Sequence, residues 1–586
     1  MDAGQDSRKG GISRRNFLQA AAGTAAAAGM AAWVPAYRVP AASAATTLPT
    51  PPGFPSSITL YQQAYQNWSG EVAVQSVWTA APKTSADVVT IANWAHANGW
   101  RVRPKGMGHG WSPLILRSGD TGADYLLVDT TQHLTSVSVS TSGSPATVTA
   151  QTGITMDALL STLGSHGLGL TANPAPGDLT LGGVLAIGGH GTAIRGHNET
   201  PITGKTYGSV SNAVLSLTAV VWNASQGQYV LRTFSRTDPA IKPLLVHVGR
   251  AFITDVTLQV GADVNLQCVS YWTIPQSTLL APPASAGSQS FQNLVLSSGR
   301  VELISFPFTT LPWLKVWNIA GSKPFFSNGV SGPYNYAFAN GVTTKQSQFI
   351  ASLLKGVVSG TPTFENAEMA AVGTGLIFEN TGNIWGPSRY STLYVKPTTL
   401  QVTANGYTIL TNTSSIQQVV SDFYTYYTNL VNQYAANGQY PMNGPIEIRV
   451  TGLDVASDVA VSGAQTPQLG PLRPRPDQPN WNCAVWLDAL TIPGTPASAQ
   501  FYAQLESWIL SNYTGSYAGV RFEWSKGWGY TSSGAWSNAS VLGSTVPAMY
   551  TTGQASNDGW SAALATLDSY DPNRIFSNSF LDTLMP

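Results

Sequence analysis

Three stretches of this 586-residue chain carry residue types and spacings that can do chemistry. In "WRVRPKGMGHGWSPL", residues 100–114, Gly106, Gly108 and Gly110 surround a single histidine, His109. An imidazole nitrogen is a nucleophile at neutral pH, and neighbours without a Cβ leave it open to the approach of another ring. A second glycine-rich run, "NPAPGDLTLGGVLAIGGHGTAIRG", occupies residues 173–196. Backbone of this kind brings N–H groups close to a pyrophosphate, because no Cβ blocks the way and positive φ is allowed. Two such loops can enclose one dinucleotide, although neither is a G-x-G-x-x-G fingerprint in a βαβ unit or a Walker loop. The third stretch is "PIEIRVTGLD", residues 445–454. Glu447 and Arg449 stand two apart on a predicted strand and project to one face, while Ile446 and Ile448 project to the other. An inward Glu and Arg are costly unless they satisfy each other. Glu302, in "VELIS", is a further carboxylate in an otherwise apolar strand.

Helices and strands must hold these residues. "SADVVTIANWAHANG" predicts a helix capped by Ser85 and ended by Gly99, with Val88, Ile91, Ala92 and Ala95 on one face. The strand "WRVRP" follows at once, so the His109 loop lies at a strand's carboxyl end, where α/β sheets place ligands. "DYLLVDTT", "LTSVSVS" and "PATVTAQTG" read as strands, residues 156–166 as a helix, and the second glycine-rich run as loop. Further strands in "AVLSLTAVVWN", "QYVLRTFS" and "LLVHVGRAFITDVTLQV" end near Val260. The character then shifts, and "IPQSTLLAPPASAGSQS" reads as a linker or a domain's opening loop. Beyond it strands mix with helices such as "SSIQQVVSDFYTYYTNLVNQYAANG", and the tail "DSYDPNRIFSNSFLDTLMP" reads as turn and strap.

At the amino terminus, "SRRNFLQAAAGTAAAAGMAAWVPAYRVPAASAA" joins Arg14 and Arg15 to an Ala/Gly-rich run and an A-x-A-like end. This reads as a twin-arginine export signal cut near Ala44, and the apolar run is short of a spanning length, so a secreted or periplasmic protein is expected. Removing residues 1–44 takes away Arg8, Lys9, Arg14, Arg15 and Arg38 with Asp2 and Asp6, leaving 24 basic and 27 acidic residues, net −3. No clustered basic face is visible, which argues against a nucleic-acid partner. Cys268 and Cys483 are the only cysteines, so there is no disulfide framework; whether they pair is open. His190 and His197 lie in "GGHGTAIRGH", but no H-x-x-x-H, C-x-x-C or acidic cluster accompanies them and no metal is expected. His190 is read as shaping the second glycine loop, and His96, His133 and His166 as surface or helix-end residues. No G-x-S-x-G occurs, which leaves a serine hydrolase without its nucleophile motif.

The order of helix, first glycine loop, strands, second glycine run and "GRAFITDVTLQV" resembles the vanillyl-alcohol-oxidase-type flavoprotein family from about Thr84 to Val260. That resemblance implies an FAD whose pyrophosphate is wrapped by the first loop: Pro104, Lys105, Gly106, Met107, Gly108, Gly110, Trp111 and Ser112. It further implies that His109 is bonded to the flavin 8α-methyl carbon. From the second loop it implies cofactor contacts by Asn173, Pro174, Gly177, Asp178, Leu181, Gly182 and Gly183. Gly188, Gly189, His190, Gly191 and, on the later strand, Ile253 complete the implied set. Met107 and Gly110 depart from the family's usual residues at those positions. The second half, through "VELISFPFTTLPWLKVWNI", "NGPIEIRVTGLD", "PNWNCAVWLDAL" and "RFEWSKGWGYTS", resembles the substrate domain of the covalent-flavin (class II) cholesterol oxidases, a branch of the same family.

The implied fold is α+β, of the two-domain vanillyl-alcohol-oxidase type. An FAD-binding domain spans 45–265, and a substrate domain with a large mixed or antiparallel sheet covered by helices spans 266–525. Residues 526–586 return to the FAD-binding domain. By the same resemblance Glu447 and Arg449 look onto flavin and alcohol carbon and can act as a gate, Glu302 lies near the active site, and Asn482 contacts the substrate hydroxyl. Lys526 lies by the flavin N1–C2=O edge, where a cation stabilises the anionic reduced flavin. Phe306, Phe308, Trp313 and Trp317 are candidates to line a sterol pocket. The implied reaction oxidises a 3β-hydroxysterol such as cholesterol with Glu447 or Glu302 as base, reduces oxygen to hydrogen peroxide, and then shifts the double bond from Δ5 to Δ4. Peripheral membrane contact is left open, because an insoluble sterol must be drawn from a bilayer; so is the oligomeric state. Two other readings are a flavin oxidase of sugars, lactones or alditols, which needs a polar pocket, and a colourless secreted carbohydrate-binding protein.

Overall fold

A computed structural model describes residues 48–586 except 121, 123, 172, 335–349, 351, 353–355 and 393–400. The expected export signal, 1–44, lies outside the described residues. Among the described residues three sheets carry an α+β architecture.

The first sheet orders its strands Thr59–Gln66, Ala73–Ala81, Tyr125–Asp129 and Arg101–Lys105, the last three running parallel. The helix Ser85–Asn98 forms, but its N-cap is Thr84 rather than Ser85. Asp87 lies three residues after Thr84, so each side chain takes the other's backbone N–H in a reciprocal capping box. Ser85 Oγ turns away and donates to Asp255 at 3.0 Å. Val88, Ile91 and Ala92 of this helix pack with Val102, Leu126 and Val128 of the sheet.

The second sheet is antiparallel, in the order Val137–Ser140, Ala146–Gln151, Phe252–Ala262, Val214–Asn223 and Gln228–Ser235, with Leu168–Gly169 added on Phe252–Ala262. The helix Met156–Ser165 ends at His166. Two expectations need correction here. The second glycine-rich run is not all loop: Leu181–Ile187 form a helix capped by Thr180 and closed by Gly188 at φ 68°. Its apolar Leu181, Val184 and Leu185 are buried on one side, which outweighs the poor helix propensity of Gly182 and Gly183. The stretch read as a linker or a domain's opening loop contains the short helix Gln276–Leu279 and a turn at Pro283–Ser285, with Leu279 and Leu280 buried in the main core.

The third sheet has nine strands, in the order Asn328–Gly329, Asn383–Pro387, Asn265–Tyr271, Trp313–Ile319, Arg300–Ser305, Ile446–Gly452, Cys483–Thr491, Thr403–Thr411 and Ala518–Phe522. Only the first pair is parallel. One face buries Leu303, Ile448, Leu487 and Ile409 in a core shared with Phe423 and Leu430 of the helix Ile416–Ala436 and Phe501 and Ile509 of Ser498–Asn512. On the other face Leu266, Cys268, Trp313 and Trp317 pack with Met369, Val372 and Leu376 of the helix Thr361–Phe378. Cys268 and Cys483 are both buried and are not bridged to each other. The tail runs through turns over 571–578 between the helices Trp560–Tyr570 and Ser579–Leu584. It lies on the first sheet: Val102 N–H donates to Ile575 C=O at 2.7 Å, and Phe576 is buried with Leu126.

Candidate active site

Pairing register sets two rows of side chains on one face of the nine-stranded sheet, since residues opposite one another in an antiparallel pair share a face. In one row Lys315 stands opposite Glu302, Glu302 opposite Arg449, and Arg449 opposite Trp486. In the next, Trp313 stands opposite Ile304, Ile304 opposite Glu447, Glu447 opposite Asp488, and Asp488 opposite Gly406. Glu447 and Arg449 therefore share a face because the strand alternates, with Ile446 and Ile448 buried behind them.

Arg449 is the hub. Its Nε donates to Glu302 Oε1 at 2.7 Å, its Nη2 to Glu447 Oε2 at 2.5 Å, and its Nη1 to Asp488 Oδ2 at 3.1 Å. Lys315 Nζ pairs with the other oxygen of Glu302. Lys526 Nζ stands 3.5 Å from Asp488 Oδ2 and 4.2 Å above the ring centroid of Trp111. Burial alone would raise Glu302, but the charges of Lys315 and Arg449 outweigh it and hold the carboxyl at about 2. Burial likewise opposes the charge on Arg449 and Lys526, and the carboxylates around them win, raising both. Asp488 goes the other way: burial pushes it up to about 6 despite Lys526. His190 stacks on Trp486 with centroids 3.4 Å apart, its Nε2 3.9 Å from Glu523 Oε1, and burial presses it down to about 3, so it stays neutral.

The His109 loop is docked on the segment that carries Lys526. The N–H groups of Trp111 and Ser112 both donate to Ser525 C=O, at 2.7 and 3.2 Å, and Ser112 Oγ donates to Trp524 C=O at 2.6 Å. The His109 ring stacks beside Trp68 at 5.2 Å, and burial, reinforced by Lys526 and opposed by Asp178, lowers its pKa. Gly108 adopts φ 67°, and a Cβ on Gly110 would find nothing nearer than Ser525 C=O at 4.0 Å, so the backbone beside His109 is uncrowded at Gly110. Pro104 and Lys105 end the strand Arg101–Lys105, with Lys105 Nζ 3.4 Å from Asp129, and Met107 is half exposed.

The two glycine-rich runs touch: a Cβ on Gly106 would lie 2.2 Å from Thr180 Oγ1. Asn173 is buried with its side chain donating to Pro174 C=O at 3.4 Å, and its backbone lies against Gly191. Gly177 C=O accepts from Asp157 N–H at 2.8 Å, and Asp178 follows within electrostatic reach of His109. Leu181, Gly182 and Gly183 open the short helix that Gly188 closes, and Gly189 N–H returns to Val184 C=O at 2.8 Å. Ile253 is buried inside its strand, its C=O accepting from Thr152 Oγ1 at 2.7 Å.

Glu302, Glu447, Arg449 and Lys526 thus meet in one cluster. Asn482 does not join it. It is exposed, six residues before Asp488, which is about 20 Å along a strand, and its Oδ1 accepts from Thr413 N–H at 2.9 Å to hold a turn. The place beside Arg449 and Lys526 belongs to Asp488, which sequence reasoning missed. Its signal was present: Asp488 is the only acidic residue in a strand of nine buried residues, "CAVWLDALT". Lys315, between two tryptophans in "WLKVWNI", carried a similar signal. Among the pocket aromatics, Trp313, Trp317 and Phe306 join the apolar cluster under the helix Thr361–Phe378, whereas Phe308 turns to Tyr440 and the other core.

Comparison with known proteins follows the same division. Residues 78–225 match the model of an FAD binding domain, and residues 265–586 that of a cholesterol oxidase, substrate-binding domain. A solved solvent-stable cholesterol oxidase superposes with a TM-score of 0.91 at 50% identity, covering 92% of this chain and 100% of that one. The crystal structure of cholesterol oxidase from B. sterolicum gives 0.90 at 41% identity, with coverage of 92% and 100%. A mitochondrial L-galactono-1,4-lactone dehydrogenase of Arabidopsis thaliana is 23% identical over 244 residues, 42% of this chain; that match spans 35% of the dehydrogenase's length. Fold and site define an FAD-binding flavoprotein of two domains. Within that class the chain belongs to the cholesterol oxidase family.

Proposed function

We infer that the protein oxidises 3β-hydroxysterols such as cholesterol to the 3-ketosteroid, with oxygen reduced to hydrogen peroxide. One observation carries this reading: the adjacent rows that hold Glu302 with Arg449 and Glu447 with Asp488 border, through Ile304 and Trp313, the apolar cluster under the helix Thr361–Phe378. Charged groups that handle a hydroxyl thus adjoin a cluster of aromatic and aliphatic side chains whose chemistry matches a sterol's rings. A sugar or lactone demands polar lining there.

FAD fits the residues present: two contacting glycine-rich runs, an uncrowded Gly110 beside His109, and a buried cation at Lys526 next to Trp111. Bound FAD supplies the two-electron acceptor for the carbinol hydride and the route of those electrons to oxygen. The chain's residues do the rest. Glu302, clamped by Arg449 and Lys315 and held at about 2, is a weak base. Glu447 accepts only from Arg449, through Oε2, and its other oxygen takes no hydrogen bond from the described residues, so it receives the hydroxyl proton. Arg449 and Lys526 stabilise negative charge developing beside them. The same Glu447 then carries a proton from C4 to C6 and shifts the double bond from Δ5 to Δ4. His109, lowered by burial and hence neutral, is the nucleophile for a covalent flavin bond.

Export by the twin-arginine route belongs to the same reading, on the strength of Arg14 and Arg15. So does peripheral contact with a bilayer. Phe325 and Phe378 are 91% and 79% exposed, Phe326 and Ile377 are exposed beside them, and the Asn328 side chain, donating to Asn380 C=O, joins the two segments. The decisive experiment is anaerobic mixing with cholesterol: the yellow flavin band should bleach, and admitting air should restore it with release of hydrogen peroxide and cholest-4-en-3-one. A flavin left oxidised by cholesterol but bleached by a sugar or lactone overturns the reading.

A further inference from the structure

Gly406 lies between two carboxylates. Asp488 is its cross-strand neighbour on one side, and on the other Glu523 N–H donates to Gly406 C=O at 3.2 Å. A Cβ on Gly406 would stand 2.9 Å from Asp488 Oδ1, 2.9 Å from Glu523 Oε2 and 2.6 Å from Lys526 Cγ. The missing side chain therefore lets both acids lean over one point. Asp488 Oδ1 and Glu523 Oε2 are both buried, and neither has a hydrogen-bond partner among the described residues. The opposite oxygens are engaged: Asp488 Oδ2 by Arg449 and Lys526, Glu523 Oε1 by Ser525 Oγ at 3.0 Å.

We propose that Asp488 and Glu523 share a single proton across Gly406, forming a positioning pair that keeps the Arg449 and Lys526 cluster electrically neutral and makes its electrostatics pH-dependent. Two ionised carboxylates whose partnerless oxygens both lie within 2.9 Å of one point repel strongly in a poorly solvated site, and one proton held between the pair removes that repulsion. Charge balance asks for the same proton. The facing groups are the cations Lys315, Arg449 and Lys526 and the acids Glu302, Glu447, Asp488 and Glu523; His190, 3.9 Å from Glu523, is neutral. Three positive charges meet four negative ones unless one acid is protonated. Loss of that proton places an extra negative charge beside Lys526, opposing any anion that develops there. Burial, with Glu523 adding to it, pushes Asp488 up to about 6, which puts the change within the working range of pH.

The inference rests on the sterol-oxidase reading only for its effect on rate; the proton itself is tested without substrate. Infrared difference spectra of the holoenzyme between pH 5 and 8, recorded with carbon-13 aspartate or glutamate, should show one protonated carboxyl band in these residues disappearing as pH rises. Across the same step, anaerobic flavin reduction by cholesterol should slow by about tenfold, the size of one pK unit of interaction. In Asp488→Asn and in Glu523→Gln one carboxylate remains, its charge balanced without a proton, so band and rate step should vanish together. A parent enzyme with every carboxyl ionised from pH 5 to 8, or a step that survives in both variants, overturns the proposal. Failure of cholesterol to reduce the flavin overturns the sterol reading instead, and the infrared band still decides the pair.

Discussion

Arg449→Met separates the electrostatic hub from its packing. The substitution keeps an unbranched side chain of similar length and removes all three ion pairs, yet the structure strands only one carboxylate. Glu302 keeps Lys315, and Asp488 keeps Lys526 at 3.5 Å, whereas Glu447 loses its only bonded cation. Leaving one carboxylate of a buried pair uncompensated costs about 3–5 kcal/mol, and Glu447, with 19% of its side chain exposed, belongs at the lower end. We expect about 3 kcal/mol, read as a lowered urea midpoint for the substrate domain by tryptophan fluorescence, while flavin fluorescence reports an intact cofactor domain. Arg449→Met combined with Glu447→Gln removes the stranded charge and should recover about 1–2 kcal/mol. The reasoning is refuted if the single variant matches the parent in stability, or if the double variant is no more stable than the single. Kinetically, Arg449→Met and Glu447→Gln should each retain FAD and slow anaerobic flavin reduction by cholesterol by roughly tenfold to a thousandfold. Parent rates in both would reduce the pair to a structural salt bridge and return the base to Glu302.

Four further outcomes are expected. His109→Ala should bind FAD yet lose flavin fluorescence on a denaturing gel and turn over more slowly; fluorescence retained in the band would place the tether elsewhere. Lys526→Met, which removes the cation 4.2 Å above Trp111, should lower the potential of bound flavin, measured by dye equilibration, and an unchanged potential would remove Lys526 from the flavin's surroundings. Phe326→Asp with Phe378→Asp should cut turnover of cholesterol in phosphatidylcholine vesicles by about tenfold or more while sparing detergent-dispersed cholesterol; equal losses on both would locate the defect in the active site, not at the membrane. Burial pushes Asp454 up to about 6 and Glu506 up to about 7, from ordinary values of 3.8 and 4.5. The fold favours their neutral forms, so this stabilisation is complete below the ordinary values and is lost as pH rises through 6 to 7. Glu506→Gln should therefore lose less Tm than the parent between pH 5 and pH 8, and a difference between the two that does not change with pH would contradict it.

Local features were legible wherever a short-range rule governed them. The helix Ser85–Asn98 announced itself by apolar spacing and a glycine stop, and strand alternation alone put Glu447 and Arg449 on one face. The cap lies at Thr84 rather than Ser85 because the capping box depends on which residue lies three before an acid, and in "KTSAD" that residue is Thr84. The helix Leu181–Ile187 was hidden by glycines whose helix cost is offset only by burial, which propensity does not contain. Asn482 was misplaced because a polar residue beside a strand gives no hint of how far along the sheet the chemistry lies.

The sequence alone determined the glycine loops, the lone imidazole inside the first of them, the alternation that pairs Glu447 with Arg449, and the family signature of both halves. Each depends on neighbours within a few residues or on a pattern carried by the chain itself. Tertiary structure decided what those groups face. Strand register brought Lys315, Glu302 and Arg449 into line and set Asp488 opposite Glu447 in the next row, and the docking of residues 111–112 on Ser525 set His109 near Lys526. It also stacked His190 on Trp486 and left Gly406 as the gap over which two acids meet. Such contacts join residues far apart in the chain, and their energies come from desolvation and charge balance, which exist only once the sheet has closed around them.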